Sequence, residues 1–518
     1  MSRQITIAAL IWGASVLLSR FVGLVREAVI GRVLGAGGEA DVYWTAFILP
    51  DFMNYLLAGG ALSIVFIPIF SAYLSRHDEA GGWRVFSTIA NFIIIVMGTL
   101  TVLAWLLVPR IVPLIAPGFT LDQLAHLGTL TRIILPAQLF HVVGGLLSAT
   151  LQARDRHALP ALAPLGYAGG IVGMGLALGP RWGADAFAWG VLFGSVIGPF
   201  GLPLLGCIQE GRRRHGFGWR PQLDLRGPDF RRYLWLSLPV MLGFSIVVVD
   251  DWLLKRFCTL VGEGTVSMLQ YAKTLMKVPM GVFGLATGAA AYPTLSRLVA
   301  QGRRVEAYDA LMRACRVLLV LSFAAQAALS ASGADMAEVI WGTTRFSQAQ
   351  LDQIGLYTGL FCLALGSWSA NTVLARGFYA QQVTWLPTAA GSAVVMIAWP
   401  LYALGGRHLG GAGLVLASSA AISGYVVLIA LLLRRRLGGP GSPTLWPLVL
   451  RMLPAVAVAV AASLGLRTLL GLAPLLRGAI TGSVAVTLTL ALAHVFGVRE
   501  ISRVLLMVKD LAARRSRP

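Results

Sequence analysis

Charge is scarce in this sequence, and negative charge is scarcer. Charged residues make up 12% of 518 positions, with 22 acids against 42 lysines and arginines. A water-soluble globule of this length needs more polar surface than that, and with 57% hydrophobic residues the chain reads as a polytopic membrane protein. Cysteine is nearly absent. Cys207, Cys258, Cys315 and Cys362 stand alone without paired spacing, which argues against a metal or redox centre and leaves small buried apolar residues. No nucleophile–base grouping, phosphate loop, metal-ligand spacing or soluble catalytic domain is present, so the expectation is transport and not an enzyme. No cofactor is expected, and coupling to a Na+ or H+ gradient or to the membrane potential is left open.

Apolar runs long enough to span, about 20 residues across a hydrocarbon core of roughly 30 Å, recur from end to end. The expectation is an all-α fold of about 14 transmembrane helices between residues 5 and 497. The net charge of +20 does not point to nucleic acid, because its placement is one-sided. Alternate connections collect 24 lysines and arginines, seven of them between Arg212 and Arg232, whereas the opposite connections hold six. Such asymmetry predicts both termini in the cytoplasm of a bacterial inner-membrane protein. The basic tail "VREISRVLLMVKDLAARRSRP" also suits an amphipathic helix on anionic lipid, with ordinary positive-inside charge as the alternative. The N-terminal apolar run continues past Arg20 without a persuasive cleavage site and is taken as the retained first span.

Two echoes reveal a repeat. "FIPIFSAYLSR" and "AYPTLSRLVA" place Pro68 and Pro293 225 residues apart, and "LQARDRHALPALAP" and "LARGFYAQQVTWLPTAA" place Pro160 and Pro387 227 apart. A duplicated six-span unit follows. Six being even, the copies share an orientation, the parallel-repeat plan in which substrate sits between the halves. The expected organisation is a six-helix lobe over 1–208, a basic cytoplasmic linker over 209–232, a second lobe over 233–436, two additional helices over 437–498 and a basic tail over 499–518. "GGIVGMGLALG" at 169–179 loosely imitates a dinucleotide loop, but it lies inside an apolar span. Close helix packing is the expected role.

A charge at a span centre costs roughly 2.5 to 3.5 kcal/mol on insertion scales, so charged residues within spans rank by functional interest. Span one holds Arg20, Arg26, Glu27 and Arg32. Steps of six turn a straight helix by about 120°, so the three arginines cannot share one face; Arg32 is expected to snorkel outward, and Arg20 and Arg26 to face a hydrated cavity. In span eight Gln270, Lys273, Thr274 and Lys277 fall at i, i+3, i+4 and i+7, and Gly281, Gly284 and Gly288 extend the stripe, which reads as the wall of a hydrated passage. Span two starts with Asp41 and continues with Asp51, Asn54 and Tyr55; span seven holds the adjacent Asp250 and Asp251, of which one at most easily faces a cavity. Buried carboxylates can titrate, hold a cation or neutralise a lysine or arginine. His141 is expected to be a packed, hydrogen-bonded histidine.

These residues resemble the MurJ/MviN family of lipid II flippases, within the superfamily of multidrug and polysaccharide exporters. The resemblance rests on "LLSRFVGLVREAVIGRVLGAGGEADVYWTAF" at the first span, "IAPGF" at 115–119, "RDRHALPALAP", "YAKTLMKVPMGVFG" with "YPTLSR", and "ARGFYAQQ" at 375–382. It implies two six-helix lobes plus two helices forming a lipid-tail groove, and an undecaprenyl-diphosphate-linked substrate moved by alternating access. The family's functional cations match Arg20 and Arg26, and its acid after span one matches Asp41. The chain departs from the pattern in placing Asn54 and Tyr55 where two arginines are expected and Gly59 where a glutamate is expected. In span eight Lys273 stands at an acid, Thr274 at an arginine, and Lys277 at a position often acidic in the family.

The resulting expectation is a flippase for lipid II. Arg20, Arg26, Lys273 and Lys277 engage the diphosphate, Asn54 and Thr274 hydrogen-bond the head, and Asp41, Asp250 and Asp251 serve gating or ion coupling. The partners are a polyprenyl-diphosphate-linked glycan lipid, membrane lipids and cell-wall synthesis proteins, with no nucleic acid. A cation-coupled exporter of another lipid-linked saccharide or amphipathic drug, and a non-transport scaffold for envelope synthesis, stand as alternatives.

Overall fold

The computed structural model describes residue 18, residues 21–58, 65–214, 218–241, 246–381, 383, 385–438, 445–498 and 500–501. Arg20, Gly59 and nearly all of the basic tail lie outside the described residues. Among the described residues the architecture is helical throughout, and the chain divides into two compact units, Met1–Ser267 and Met268–Pro518.

In the first unit, helix α1 (residues 21–34) is followed by α2 (Gly38–Thr45), α3 (Ile48–Ala58), α4 (Ile67–Ser75) and the 37-residue α5 (Glu79–Ile115). The Asp78 carboxylate accepts the Gly81 amide at 2.8 Å, which satisfies one of the donors a helix start leaves open. Then come α6 (Leu121–Ile134), α7 (Ala137–Gln152), α8 (Ala158–Trp182) and α9 (Ala184–Ser195), a π-helical turn at Val196–Gly201, α10 (Leu202–Arg214), α11 (Pro228–Met241) and α12 (Ile246–Val261). The glycine-rich run packs helices. A Cβ on Gly170 would come within 2.4 Å of the Gly194 Cα, and one on Gly166 within 2.9 Å of the Gly198 Cα, so α8 and its neighbour approach backbone to backbone.

The helix α13 (Thr265–Ala300) leads into the second unit, followed by α14 (Arg304–Trp341), α15 (Gln348–Cys362), α16 (Leu365–Ala380), α17 (Trp385–Leu437), α18 (Trp446–Leu469) and α19 (Pro474–Val495). The 38-residue α14 is the hub, packing against α15, α16, α18 and α19. Its Leu319, Val320, Phe323, Ala327 and Ala331 meet Leu448, Met452, Ala455 and Val456 of α18 and Ala485 and Ala493 of α19 in one buried cluster.

Among the described residues eight helices are long and apolar enough to cross a membrane, or nine when the bent pair α15 and α16 is one span. The expected count of fourteen is thus not reached as single long apolar helices among the described residues. Part of the difference is mechanical: the 53-residue α17 runs through a break at Gly410, whose φ of 57° and ψ of −138° suit only glycine. The residues of the expected second span are divided between α2, α3 and α4.

Candidate functional site

In the first unit, Arg26 sits on α1 in an apolar setting that cannot leave a guanidinium wholly without compensation. Its Nη2 lies 2.7 Å from the Oε1 of its neighbour Glu27. The two are unequally covered, with 26% of the Arg26 side chain exposed against 6% for Glu27. A guanidinium has five N–H donors, and a single carboxylate contact leaves capacity for an anion. Tyr167 of α8 feels the charges of Arg26, Asp51 and Glu27, which places an arginine, two acids and a phenol in one neighbourhood. Arg32 is exposed, as snorkelling requires. Asn54 is half-buried on α3, three residues after Asp51, and Tyr55 is exposed.

Asp41 is buried, and its carboxylate meets amides. Its Oδ2 accepts the Gly264 N–H at 2.7 Å and its Oδ1 the Ser267 N–H at 2.7 Å, at the start of α13. The helix start opposite is served likewise, since Glu263 Oε1 accepts the Gly38 N–H at 2.7 Å at the first residue of α2. Each acid thus meets the positive end of the other's helix, where unpaired amides and the helix dipole favour negative charge. The partners of Asp41 are therefore backbone amides. Glu263 was not singled out from the sequence. Its position just before a glycine and a helix start was the available signal.

The adjacent aspartates of α12 separate as their 100° offset requires. Asp250 is buried, and Asp251 is half-buried with Lys255 Nζ 3.0 Å from its Oδ2. Lys255 is itself buried; it was not singled out from the sequence, and its i+4 spacing from Asp251 was the available signal. His141 is packed as expected. Its Nε2 lies 2.9 Å from Ser195 Oγ, and its ring stands edge-on to Tyr167. Ser195 Oγ also lies 2.6 Å from the Val191 carbonyl oxygen, so the imidazole meets a hydroxyl that is itself anchored on α9.

In the second unit the polar stripe of α13 divides. Lys273 is 2% exposed, and its Nζ sits 5.5 Å from the Trp368 ring centroid of α16, an arrangement suited to cation–π attraction. Thr274 donates its hydroxyl to the Gln270 carbonyl at 3.0 Å and is half-buried, as are Gln270 and Lys277. The glycine extension is a packing face and not the wall of a passage. A Cβ on Gly284 would come within 3.0 Å of Thr372 Oγ1, and one on Gly288 within 2.9 Å of Arg376 Nε.

A further ionic group, not foreseen, joins α18 and α19 to α14. Asp335 has no exposed side-chain surface and accepts from Arg467 Nε at 3.1 Å and from Arg477 Nε at 2.7 Å. Arg477 also reaches Glu338 at 3.1 Å. Arg467 and Arg477 are two of the six cations of the opposite connections. Among the described residues there is no group of three or more histidine, cysteine, aspartate or glutamate side chains placed to hold a metal ion.

Residues 30–485 match the family model described as lipid II flippase MurJ. A probable lipid II flippase MurJ of Rhizobium meliloti (strain 1021) is 29% identical over 385 residues, covering 72% of this chain and 70% of that protein. The lipid II flippase MurJ of Burkholderia cenocepacia is 26% identical, with 81% of this chain and 82% of that one covered. Among solved structures, a lipid II flippase MurJ in an inward closed conformation aligns with a TM-score of 0.74 at 18% identity, over 94% of this chain and 98% of that chain. An inward-facing multidrug resistance MATE family transporter aligns with a TM-score of 0.63 at 15% identity, over 80% and 94%. The two structures bear on the fold alone.

Proposed function

We propose that this chain, which belongs to the MurJ family of lipid II flippases, moves the undecaprenyl-diphosphate-linked peptidoglycan precursor lipid II across the bacterial cytoplasmic membrane by alternating access. The observation that carries the reading is the family match over residues 30–485, joined to a half-buried arginine at 26 with donors to spare in an apolar helix. A diphosphate entering such a setting loses hydration, and Arg or Lys donors replace it with charge-assisted hydrogen bonds.

In this reading Arg20, Arg26 and Lys277 are the cations assigned to the diphosphate, and Asn54, Gln270 and Thr274 are assigned to the head. Lys273 changes role: buried against Trp368, it is better suited to hold α13 on α16 than to meet a headgroup. The exchange of Asp41 and Glu263 for the amides of Gly264, Ser267 and Gly38 serves as a latch that transport must open. Asp250 and the Asp251–Lys255 pair remain candidates for coupling to H+ or Na+. Both termini lie in the cytoplasm, and no covalent chemistry is assigned to the protein.

Complementation of cells depleted of their lipid II flippase tests this. The wild-type chain is expected to rescue growth, and Arg26→Ala and Lys277→Ala to reduce rescue at least tenfold while still reaching the membrane. Asp41→Asn is expected to weaken rescue less, because the amides retain a neutral acceptor. Full rescue by both charge-deleted variants would overturn the diphosphate assignment and favour a scaffold. A different lipid-linked saccharide copurifying with the protein would favour the exporter.

A further inference from the structure

Residues 218–227, the described part of the basic connection ahead of α11, are built into the fold. On α5, the Arg84 carbonyl and the side chains of Ser87, Thr88 and Asn91 fall at i, i+3, i+4 and i+7, one helical face. That face holds an extended strap. Asn91 Nδ2 donates to the carbonyls of Arg220 and Gln222 at 2.8 and 2.9 Å, and its Oδ1 accepts from Trp219 Nε1 at 3.0 Å. Ser87 Oγ accepts the Arg220 N–H at 3.0 Å, and Gln222 Nε2 donates to the Arg84 carbonyl at 3.0 Å. The start of α11 is fixed as well, by the Phe230 ring 5.0 Å from that of Phe92 and by the Tyr73 hydroxyl donating to Asp229.

The strap's two acids are engaged by neighbouring donors, Asp224 exposed within its own turn and Asp229 half-buried, while its cations face outward. Asp224 accepts the Gly227 amide at 3.0 Å, and Asp229 is held by Tyr73. Arg220, Arg226, Arg231 and Arg232 are exposed, and none of them has an acid partner among the described residues. Exposed apolar side chains flank them, Trp219 at 43% and Trp235 at 76%. The height fits an interface. A helix of 37 residues is about 55 Å long, longer than a hydrocarbon core of roughly 30 Å, and the continuous apolar run of α5 starts only at Phe92, so Arg84 to Asn91 suit the headgroup boundary.

We propose that this strap and the exposed face of α11 form a docking ledge for anionic phospholipid headgroups of the adjoining leaflet, with the four arginines on the phosphates and Trp219 and Trp235 at the acyl boundary. Fixed guanidiniums outside the hydrocarbon attract anionic lipid, and indoles settle at the interface, each reinforcing the other. The ledge is separate from the residues assigned to the diphosphate, so its failure would leave the flippase reading intact.

The test uses the full chain in detergent, with Leu223→Cys labelled by an environment-sensitive dye. The four native cysteines are buried, which directs the label to the strap. Mixed micelles of phosphatidylglycerol are expected to shift the dye saturably, and phosphatidylcholine is not. Changing the four arginines to glutamine should raise the half-saturating phosphatidylglycerol at least tenfold, since each cation near an anionic surface contributes roughly a fivefold factor. The corresponding four lysine substitutions should stay within about threefold of the parent, which separates lost charge from lost fold. Asn91→Ala, which keeps every arginine but frees the strap's backbone, should weaken binding severalfold. Equal response to the two lipids, unchanged binding by the glutamine variant, an equal shift with soluble glycerol phosphate, or a preference for an acidic polypeptide over lipid would each overturn the ledge.

Discussion

The two units repeat each other in backbone detail. Thr120 and Gln123 form a capping box at the start of α6, and Ser347 and Gln350 form another at the start of α15, 227 residues later. Gly183, with φ 54° and ψ −128°, breaks the chain between α8 and α9, and Gly410 does the same inside α17, again 227 residues later. The 37-residue α5 answers to the 38-residue α14. The differences are as informative. The chain turns at Ala46 and Phe47 between α2 and α3, whereas α13 runs unbroken from Thr265 to Ala300. Only the second unit carries an extra helical pair, clamped by Asp335. Duplication preserved the places where the backbone turns and left the charges free to change.

The comparison breaks most easily at the clamp. Asp335→Ala leaves Arg467 and Arg477 without their shared acid and is expected to destabilise the second unit by about 3–5 kcal/mol. Thermal unfolding in detergent, read beside a first-unit reporter, should show the loss confined to α14, α18 and α19. Next come the paired breaks. Gly183→Ala and Gly410→Ala each force a side chain into a left-handed conformation at about 1–2 kcal/mol. Gly183→Ala should cost more, because its Cβ would strike the Glu39 carboxylate that holds the Ala184 amide at 2.8 Å. Equal losses in a thermal scan would show that Glu39 yields freely. The smallest effect sharpens the likeness: Thr120→Ala and Ser347→Ala should each cost about 1 kcal/mol, with matching shifts in melting temperature.

Much of this was legible in the residues. Two proline echoes exposed the duplication, and the capping boxes and paired glycines were present in the sequence but pass unnoticed until their dihedral angles are seen. The glycine run at 169–179 was read as a packing face because it lay inside an apolar stretch, and it packs. The same logic failed for Gly284 and Gly288, where a neighbouring polar stripe suggested water; Thr372 and Arg376 of α16 fill that space. Lys273 misled for a related reason. Helical spacing groups it with Thr274 and Lys277, but a 100° step between neighbours is enough to bury one beside Trp368 and leave the next half-covered.

Composition and periodicity alone determined that this is a helical, repeated, multi-pass membrane protein, because hydrocarbon admits few other ways to satisfy a backbone and each span must be apolar over a length set by the bilayer. Its motifs also carried the family. Tertiary structure alone decided which partner each charge meets: Asp41 with two amides, Asp335 with two arginines, Arg26 with Glu27, and the linker's backbone with Asn91. The physical reason is range. Burial pattern is written along a single helix, whereas compensation of a charge in an apolar medium is settled within about 3 Å by groups that are, in most of these pairs, more than a hundred residues away along the chain.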